Sequence, residues 1–378
     1  MASNQKIAFV ANTSWSIYRF RLFLIRRLID NGFAIFVLAP RDAHTPYFES
    51  IPGLTYIELT HFRATTYSVS QNRLLRKELQ FHYSRIRPNL IFHYTIKANI
   101  YGSIAARNAG IPSISIITGL GYTFAKKGWL RSIVKLLYKN SLKKTAEVWF
   151  LNEDDLHTFT AAHLVAPDRT FLLPGEGVDP NVFFPAPFDN AKKTITFLFV
   201  GRMIRYKGIY EFVEAAQLLR QKGLAVNCQL LGFFDDNPAS IPRSQIDEWH
   251  NNRIITYLGH TDAVAEVIEQ ADCIVLPSYY REGIPLSLLE GASMCKALIA
   301  ADTSGCRTLI REGVNGYLCK EKDVASLAEK MTAYYYLSAA EKRQMGLEGR
   351  KTVLERFAND MIVDIYRTKI NSILHPEE

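Results

Sequence analysis

The 378-residue sequence lacks features that mark several large classes of protein. No stretch approaches the roughly 18 consecutive apolar residues of a spanning helix, which argues against a transmembrane protein. The five cysteines show no Cys-x-x-Cys spacing, so they indicate reduced thiols of a cytosolic protein and argue against a metal site. The pattern Asp-x-Asp, which often holds a metal-bound diphosphate, is also missing. We therefore expect neither a metal requirement nor a cofactor.

Positive charge, in contrast, is in excess, with 45 Lys and Arg against 37 Asp and Glu. Residues 1–190 contain 22 basic and 13 acidic side chains, whereas residues 191–378 contain 23 and 24. This asymmetry indicates that the first half faces something anionic, such as a membrane surface, phosphates or nucleic acid.

Short apolar runs alternate with longer amphipathic ones, which is the pattern of β/α units around parallel sheets. It predicts thirteen strands in two series, at 7–11, 34–39, 55–59, 90–94, 113–117, 147–151 and 170–173, then at 194–200, 226–231, 254–258, 273–276, 297–300 and 316–319. The fold class is therefore α/β, with two doubly wound Rossmann-like domains facing across a cleft. Ligands of such sheets bind in the loops at the carboxyl ends of the strands.

A proline-rich stretch at 179–188 is the predicted linker between the two series. We expect an N-terminal domain over 1–185 and a second domain over 186–357. The remaining residues, 358–378, are expected to form a helix that can pack back on the N-terminal domain.

The loop at 201–208 reads Gly-Arg-Met-Ile-Arg-Tyr-Lys-Gly and connects a predicted strand to a predicted helix. Gly201 lets the backbone approach a ligand, while Arg202 and Lys207 place two permanent cations at the carboxyl end of the strand. A diphosphate suits these groups. The alternative for this loop alone is a solvated turn with incidental basic residues.

The loop at 277–291 precedes a helix whose first turn suits Pro285. Free amides of the surrounding residues lie at the positive end of that helix, where anions bind: Gly283, Ile284 and Leu286. Glu282 and Glu290 can accept hydrogen bonds from the hydroxyls of a sugar or ribose. An equal alternative is that Glu282 is only a carboxylate at the start of the helix and that Glu290 is a surface residue.

Gly-Arg-x4-Lys-Gly at 201–208, followed by Glu-x7-Glu at 282–290, resembles the retaining glycosyltransferases of family 4, which have the two-domain GT-B fold. Gly259 and residues 314–318 also fit, so the resemblance covers essentially the whole second half. It implies that Arg202 and Lys207 bind the diphosphate of a UDP-sugar donor and act in catalysis. It further implies that Glu282 meets the transferred sugar and acts in catalysis, that the 283–286 amides hold sugar and phosphate, and that Glu290 accepts hydrogen bonds from the ribose.

The first half departs from that pattern, with no glycine-rich loop after the first strand and with Thr118 where many members have a His. These variants resemble a bacterial subgroup that extends polyprenyl-diphosphate-linked sugars in capsule, O-antigen or glycoprotein glycan assembly, including N-acetylgalactosaminyl and other hexosaminyl transferases. We expect the lipid-linked acceptor near the loop residues Ser16, Arg19, His93, Lys97, Thr118, Gly119 and Tyr122. For His93, a core histidine is an equal alternative.

Seven cations and no acid occur over residues 126–144, and apolar residues occupy much of the remaining helix circumference. This composition predicts a basic amphipathic helix that lies on an anionic membrane surface. The residues assigned to membrane contact are Lys127, Trp129, Arg131, Lys135 and Lys139. The alternative is that the apolar side faces the domain's own core and the lysines are solvated.

The sequence thus predicts a peripheral glycosyltransferase on the cytoplasmic face of the cell membrane, moving an N-acetylhexosamine or hexose with retention to a lipid-linked sugar. No nucleic acid is expected as a partner, because the alternating aromatic platforms of single-strand binders are missing. Three alternatives stay open: a nucleotide-sugar epimerase, an inverting transferase on the same fold, and a non-enzymatic protein that binds phosphate or anionic lipid.

Overall fold

A computed structural model describes residues 5–63, 68–119, 129–188, 194–234, 238–280 and 283–375, and the chain divides into two units. Unit 1 comprises Met1–Glu176 together with Asn359–Glu378, and unit 2 comprises Gly177–Ala358. In the described part of the chain, no helix is long and apolar enough to cross a membrane.

Unit 1 contains a seven-stranded parallel sheet in the order β3-β2-β1-β4-β5-β6-β7. Its strands are β1 Lys6–Val10, β2 Ala34–Ala39, β3 Leu54–Glu58, β4 Leu90–Tyr94, β5 Ser113–Ile117, β6 Glu147–Phe150 and β7 Thr170–Leu172. Its α-helices are α1 Ser14–Asp30, α2 Thr45–Glu49, α3 Val69–Ile86, α4 Ser103–Ala109, α5 Trp129–Ser141, α6 Glu153–Ala161 and, from the end of the chain, α14 Asn359–Leu374. A π-helical turn, Ala98–Gly102, precedes α4.

Unit 2 contains a six-stranded parallel sheet in the order β10-β9-β8-β11-β12-β13. Its strands are β8 Ile195–Val200, β9 Val226–Leu231, β10 Thr256–Tyr257, β11 Cys273–Leu276, β12 Ala297–Ala301 and β13 Gly316–Cys319. Its helices are α7 Ile209–Gln221, α8 Arg243–Asn251, α9 Val264–Gln270, α10 Leu286–Ser293, α11 Ser304–Leu309, α12 Val324–Tyr336 and α13 Ala339–Arg356. The thirteen predicted strands are therefore all present, most within one residue of their expected ends.

Both sheets have a point where the strand order reverses. In unit 1 it lies between β1 and β4, and in unit 2 between β8 and β11. Loops that leave neighbouring strands at such a point run to opposite faces of the sheet, which opens a crevice at the carboxyl edge. Most of the predicted site residues lie in the loops that follow these four strands, while Thr118, Gly119 and Tyr122 follow β5 and Gly259 follows β10.

The unit boundary follows Glu176, nine residues before the predicted end of the N-terminal domain at 185. The proline-rich stretch packs on unit 2, because Phe183 is buried in that unit's core and its carbonyl oxygen accepts a hydrogen bond from Ser293 Oγ at 2.7 Å. The final helix α14 belongs with unit 1. Its residues Ile362 and Tyr366 are buried in the same cluster as α1 and the sheet.

Candidate functional site

The loops after β8 and β11 are in direct backbone contact within unit 2. A Cβ atom added to Gly208, whose φ is +79°, would lie 2.1 Å from the carbonyl oxygen of Pro277. The Tyr279 amide donates a hydrogen bond to the Tyr206 carbonyl oxygen at 3.0 Å. These contacts fix the loop of Arg202 and Lys207 against the loop that leads to α10.

A third loop joins them through a glycine that the sequence motifs do not single out. Gly232 follows β9, and a Cβ atom there would lie only 1.7 Å from the carbonyl oxygen of Gly201. Its amide donates to the Gly259 carbonyl oxygen at 2.8 Å. The signal in the sequence was a glycine directly after a buried apolar strand, a position where close backbone approach is common.

The two predicted cations occupy different environments in this loop. Lys207 ends a 3-10 turn, Arg205–Lys207, and is only 9% exposed, whereas Arg202 is half-buried. A buried ammonium group needs nearby polar or anionic groups to offset its desolvation. The arrangement suits an anion that stays at one place in the loop.

Helix α10 begins at the carboxyl edge after β11. Its N-cap residue is Pro285, which has no side chain able to accept a hydrogen bond from the first-turn amides. Those amides and the helix dipole favour an anion at this end. Gly291 lets the helix approach β11 closely, since a Cβ atom there would lie 2.4 Å from Ile274 Cγ1.

Of the two predicted glutamates, Glu290 is buried within α10 with 1% of its surface exposed. The surface alternative for Glu290 is therefore excluded. Glu282 lies outside the described residues. One carboxylate that the motifs did not indicate, Glu211, lies in the first turn of α7, and burial raises its pKa.

In unit 1, Ser16 and Arg19 lie on α1, directly after β1. The Ser16 amide donates to Thr13 Oγ1 at 3.1 Å, and its hydroxyl donates to the Thr13 carbonyl oxygen at 2.9 Å. Ser16 thus forms part of the helix N-cap, while Arg19 is half-buried. Of this pair, Arg19 has the longer and more accessible side chain.

The loop after β4 carries Lys97 beside backbone of uncommon geometry. Thr95 has a φ of +73°, which is strained for a β-branched residue, and the π-helical turn begins three residues later. Lys97 is half-buried, and its Nζ donates to the Arg63 carbonyl oxygen. Both strain and π-helical turns are enriched at functional sites.

His93 lies in the core of unit 1, with no exposed surface. Its Nε2 is 2.9 Å from Tyr83 Oη and its Nδ1 is 3.3 Å from Ser103 Oγ. Burial lowers its pKa to about 3, so the ring is neutral at physiological pH. The core alternative therefore describes His93, and its side chain does not reach an acceptor.

Thr118 and Gly119 follow β5 and are half-buried, with Gly119 at a φ of +138°. Tyr122 and Lys127 lie outside the described residues. Trp129 and Arg131 lie in the first turn of α5, and nothing further is described of their side chains. Lys135 is half-buried and Lys139 is exposed on the same helix.

A buried ion pair, which sequence reasoning missed, connects α1 to the end of unit 1. The guanidinium of Arg21, 4% exposed, donates to a carboxylate oxygen of Glu176 and, at 3.0 Å, to the Ser16 carbonyl oxygen. It also lies 4.0 Å from the ring centroid of Tyr94, whose hydroxyl is 3.0 Å from that of Tyr366 on α14. Arg21 is thus an internal partner, not a phosphate ligand on an open face.

Family models match both halves of the chain. "Glycosyl transferase 4-like" matches residues 6–152 and "Glycosyl transferases group 1" matches residues 183–352. A Campylobacter jejuni N,N'-diacetylbacillosaminyl-diphospho-undecaprenol alpha-1,3-N-acetylgalactosaminyltransferase is 28% identical over 86% of this chain and 88% of its own length. An Escherichia coli UDP-Gal:alpha-D-GlcNAc-diphosphoundecaprenol alpha-1,3-galactosyltransferase is 26% identical over 68% and 67%.

Solved structures share the fold at lower identity. Anabaena HepE in complex with UDP and glucose aligns with a TM-score of 0.79 at 17% identity, covering 97% of this chain and 100% of that one. Sucrose-phosphate synthase from Thermosynechococcus elongatus aligns with a TM-score of 0.80 at 19% identity, again over 97% and 100%. The expected GT-B fold is thereby confirmed.

Proposed function

The chain belongs to the glycosyltransferases of the group 1 and 4-like families, and on that premise we propose that it moves a sugar, with retention, from a UDP-sugar to a polyprenyl-diphosphate-linked sugar. The observation that supports this most is the crevice of unit 2. There, Lys207 and the uncapped start of α10 lie on loops that close glycine contacts hold together, and these are the groups to which we assign the donor's diphosphate.

The proposed chemistry makes that diphosphate the leaving group. The bond between the donor sugar's anomeric carbon and the β-phosphate oxygen breaks, and a bond forms between that carbon and an acceptor hydroxyl oxygen. The hydroxyl proton passes to the departing diphosphate on the same face of the sugar, so no protein base is required. Arg202, Lys207 and the α10 amides stabilise the charge that develops on the leaving oxygen.

The remaining donor contacts follow from the family motif. Glu290 is assigned to the ribose, whose hydroxyls can donate hydrogen bonds to its buried carboxylate. Glu282 is assigned to the transferred sugar. Because fixed cations and amides neutralise the diphosphate, we expect turnover to continue in the presence of EDTA.

The acceptor is proposed to be a lipid-linked sugar diphosphate bound by unit 1. The Campylobacter relative, which spans most of this chain, is named for such an acceptor and for transfer of N-acetylgalactosamine. Arg19 and Lys97 follow β1 and β4 at the strand-order reversal and offer cations to the acceptor diphosphate. An N-acetylhexosamine is therefore the first donor to test.

A lipid-linked acceptor implies contact with the cytoplasmic face of the membrane, and we assign that contact to α5. Its inner side packs Val134 and Tyr138 into the core of unit 1. Its outer side exposes Ile133, Leu136 and Lys139 to solvent. Because α5 has apolar residues on its inner and its outer side, it can pack on the sheet and also present an apolar face to the membrane interface.

The test is incubation of purified protein with a panel of UDP-sugars, with and without a polyprenyl-diphosphate sugar. Transfer is expected only with both substrates, with the anomeric configuration of the donor kept in the product. Free epimerised nucleotide sugar would instead support the epimerase, an inverted linkage the inverting transferase, and absence of UDP release under every condition a non-enzymatic protein.

A pair of lysine variants tests the phosphate assignment. Lys207→Ala is expected to weaken donor binding about tenfold to a hundredfold, since a hydrogen bond to a charged group contributes roughly 1.5–3 kcal/mol. Lys222→Ala removes an exposed lysine just after α7 and serves as the control. Equal donor affinity of the two variants would contradict the assignment.

A further inference from the structure

Helix α3 of unit 1 has an outer face that its own fold does not use. Its inner side, with Leu75, Leu79 and Tyr83, is buried in a core cluster. The opposite side exposes two large apolar residues, Leu74 and Phe81, of which Phe81 is 60% exposed, and Val69 at the start of the helix is 83% exposed. Single exposed apolar residues are ordinary, but three on one helix indicate a surface that meets something apolar.

The charged residues between them are almost all cations. Arg73, Lys77 and Arg85 are exposed on the same side as Phe81. The only acid of the helix, Glu78, is turned toward the loop after β3, where it accepts hydrogen bonds from the amides of Thr60 and His61 at 2.8 and 3.0 Å. Within the described ranges no ion pair neutralises these three cations, so the outer face is complementary to an anionic partner.

Helix α3 lies on the same side of the sheet as α5. Both contact the π-helical turn Ala98–Gly102 that lies between them, and Arg107 of α4 donates to the Asn140 carbonyl oxygen of α5 at 2.9 Å. The exposed residues of α3 and those of α5, including Leu136 and Lys139, therefore point away from one face of unit 1.

Both helices also begin at the functional edge of the sheet. Each follows a strand, so its N-terminus lies at the carboxyl edge, where Arg19 and Lys97 are located. Val69 and Leu74 of α3, like Ile133 of α5, lie in the first turns and hence near that edge. Exposed apolar residues at the start of both helices thus lie near the edge where a lipid-linked substrate would arrive, whereas Phe81 lies about three turns further along α3.

We infer that α3 and α5 together form one lipid-binding surface that docks unit 1 on an anionic bilayer. The inference rests on the proposed lipid-linked acceptor and adds a second contact helix to it. A bilayer fits better than nucleic acid, because interfacial helices combine exposed aromatic and aliphatic residues with surrounding cations, whereas phosphate backbones require the cations alone. Two separate helices fix the orientation of the unit on the membrane, which a single helix leaves free to rotate.

The inference is tested by sedimentation with vesicles of phosphatidylcholine and phosphatidylglycerol at 7:3, and with pure phosphatidylcholine. The variant Arg73→Gln, Lys77→Gln, Arg85→Gln is expected to bind the anionic vesicles about a hundredfold more weakly than wild type, from about 1 kcal/mol per cation. Leu74→Ser with Phe81→Ser is expected to weaken binding to both. A control, Lys351→Gln with Leu354→Ser, changes equally exposed residues on α13 of unit 2 and should bind as wild type.

Wild-type vesicle affinity of the α3 variants, with unchanged thermal unfolding, would overturn the inference. So would displacement of the protein from vesicles by single-stranded RNA at equal phosphate concentration, since that would favour nucleic acid. A water-soluble short-chain acceptor separates this result from the proposed reaction. The α3 variants should transfer sugar to it at the wild-type kcat/KM but lose transfer to the vesicle-embedded acceptor. No transfer by wild type to either acceptor would refute the reaction, while the vesicle assay would still decide the role of α3.

Discussion

The two glycines that flank α7 allow the donor crevice to be tested with a matched pair of substitutions. Gly208 precedes the helix at a φ of +79° and Gly223 follows it at +71°. Alanine at either position carries the same left-handed backbone penalty, about 1 kcal/mol. A Cβ atom at Gly223 meets nothing within 4 Å, whereas one at Gly208 lies 2.1 Å from the Pro277 carbonyl oxygen.

The difference between the variants therefore measures the contact of the two loops. Relief of that overlap requires the loops after β8 and β11 to separate by roughly 1 Å, and a displacement of this size can lower a catalytic rate about a hundredfold. We expect Gly208→Ala to lower kcat/KM for the UDP-sugar by about that factor. Gly223→Ala should leave kcat/KM within about threefold of wild type while lowering the unfolding free energy by about 1 kcal/mol.

Calorimetric titration of UDP and initial rates with the lipid-linked acceptor are the measurements, with thermal unfolding to match the stabilities. If Gly208→Ala and Gly223→Ala retain equal kcat/KM, the close approach of the loops has no role in donor binding. A loss in both variants that follows their unfolding temperatures would show that stability alone explains the effect.

Three further predictions follow from buried ionisable groups. Burial lowers the pKa of His93 from 6.5 to about 3, so the native state binds fewer protons than the unfolded state below pH 6.5. The free energy of unfolding is therefore highest above pH 6.5 and decreases as the pH falls. Urea unfolding should show a decrease of about 2 kcal/mol between pH 7 and 5, and His93→Gln should abolish this pH dependence. Arg21→Met should lower the free energy of unfolding by about 3–5 kcal/mol, because it leaves Glu176 buried without its counter-charge. The double variant with Glu176→Gln should regain part of that stability. If the free-energy losses of the two single variants simply add in the double variant, the pairing is contradicted. Glu290→Gln should weaken UDP binding about tenfold or more but leave the binding of 2',3'-dideoxy-UDP unchanged, so an equal loss with both nucleotides would refute the ribose contact.

The strands were predictable because parallel strands covered on both faces become continuous apolar runs. Strand β4, Leu90–Tyr94, is buried at every position, and its predicted bounds are those observed. The positions of the loops after β8 and β11 were predictable for the same reason, since each begins where such an apolar run ends; the donor contacts assigned to them stay predictions. The packing of Gly232 on Gly201 was not predictable, because it depends on the separation of two loops in space.

Contacts between distant residues were not available to local reasoning. Nothing in the local sequence of Arg21 indicates its partner, because Glu176 is 155 positions away. The boundary between the two units also depends on contacts between distant residues. The prolines at 180–187 suggested a linker, whereas the packing of Phe183 in the core of unit 2 assigns that stretch to unit 2. The outer face of α3 was missed because a mixture of cations and apolar residues is common on helices, and only measured exposure separates an unused face from a packed one.

The helix starts of the two units explain why the nucleotide diphosphate is assigned to unit 2 when unit 1 carries more positive charge. In unit 1, the first helix after the strand-order reversal is capped by Thr13, whose side chain accepts the hydrogen bond of the Ser16 amide. That amide is no longer available to a phosphate. In unit 2, α7 and α10 begin at Gly208 and Pro285, which have no side chain that can act as a cap. In α10 the Leu288 amide donates to the Pro285 carbonyl oxygen at 3.1 Å, and we expect a phosphate to accept from the amides that precede it. Apart from Arg19 and Lys97, which we assign to the acceptor, unit 1 carries exposed cations on α3 and α5 that are spread along the helices and can meet an extended anionic surface: Arg73, Lys77, Arg85 and Lys139.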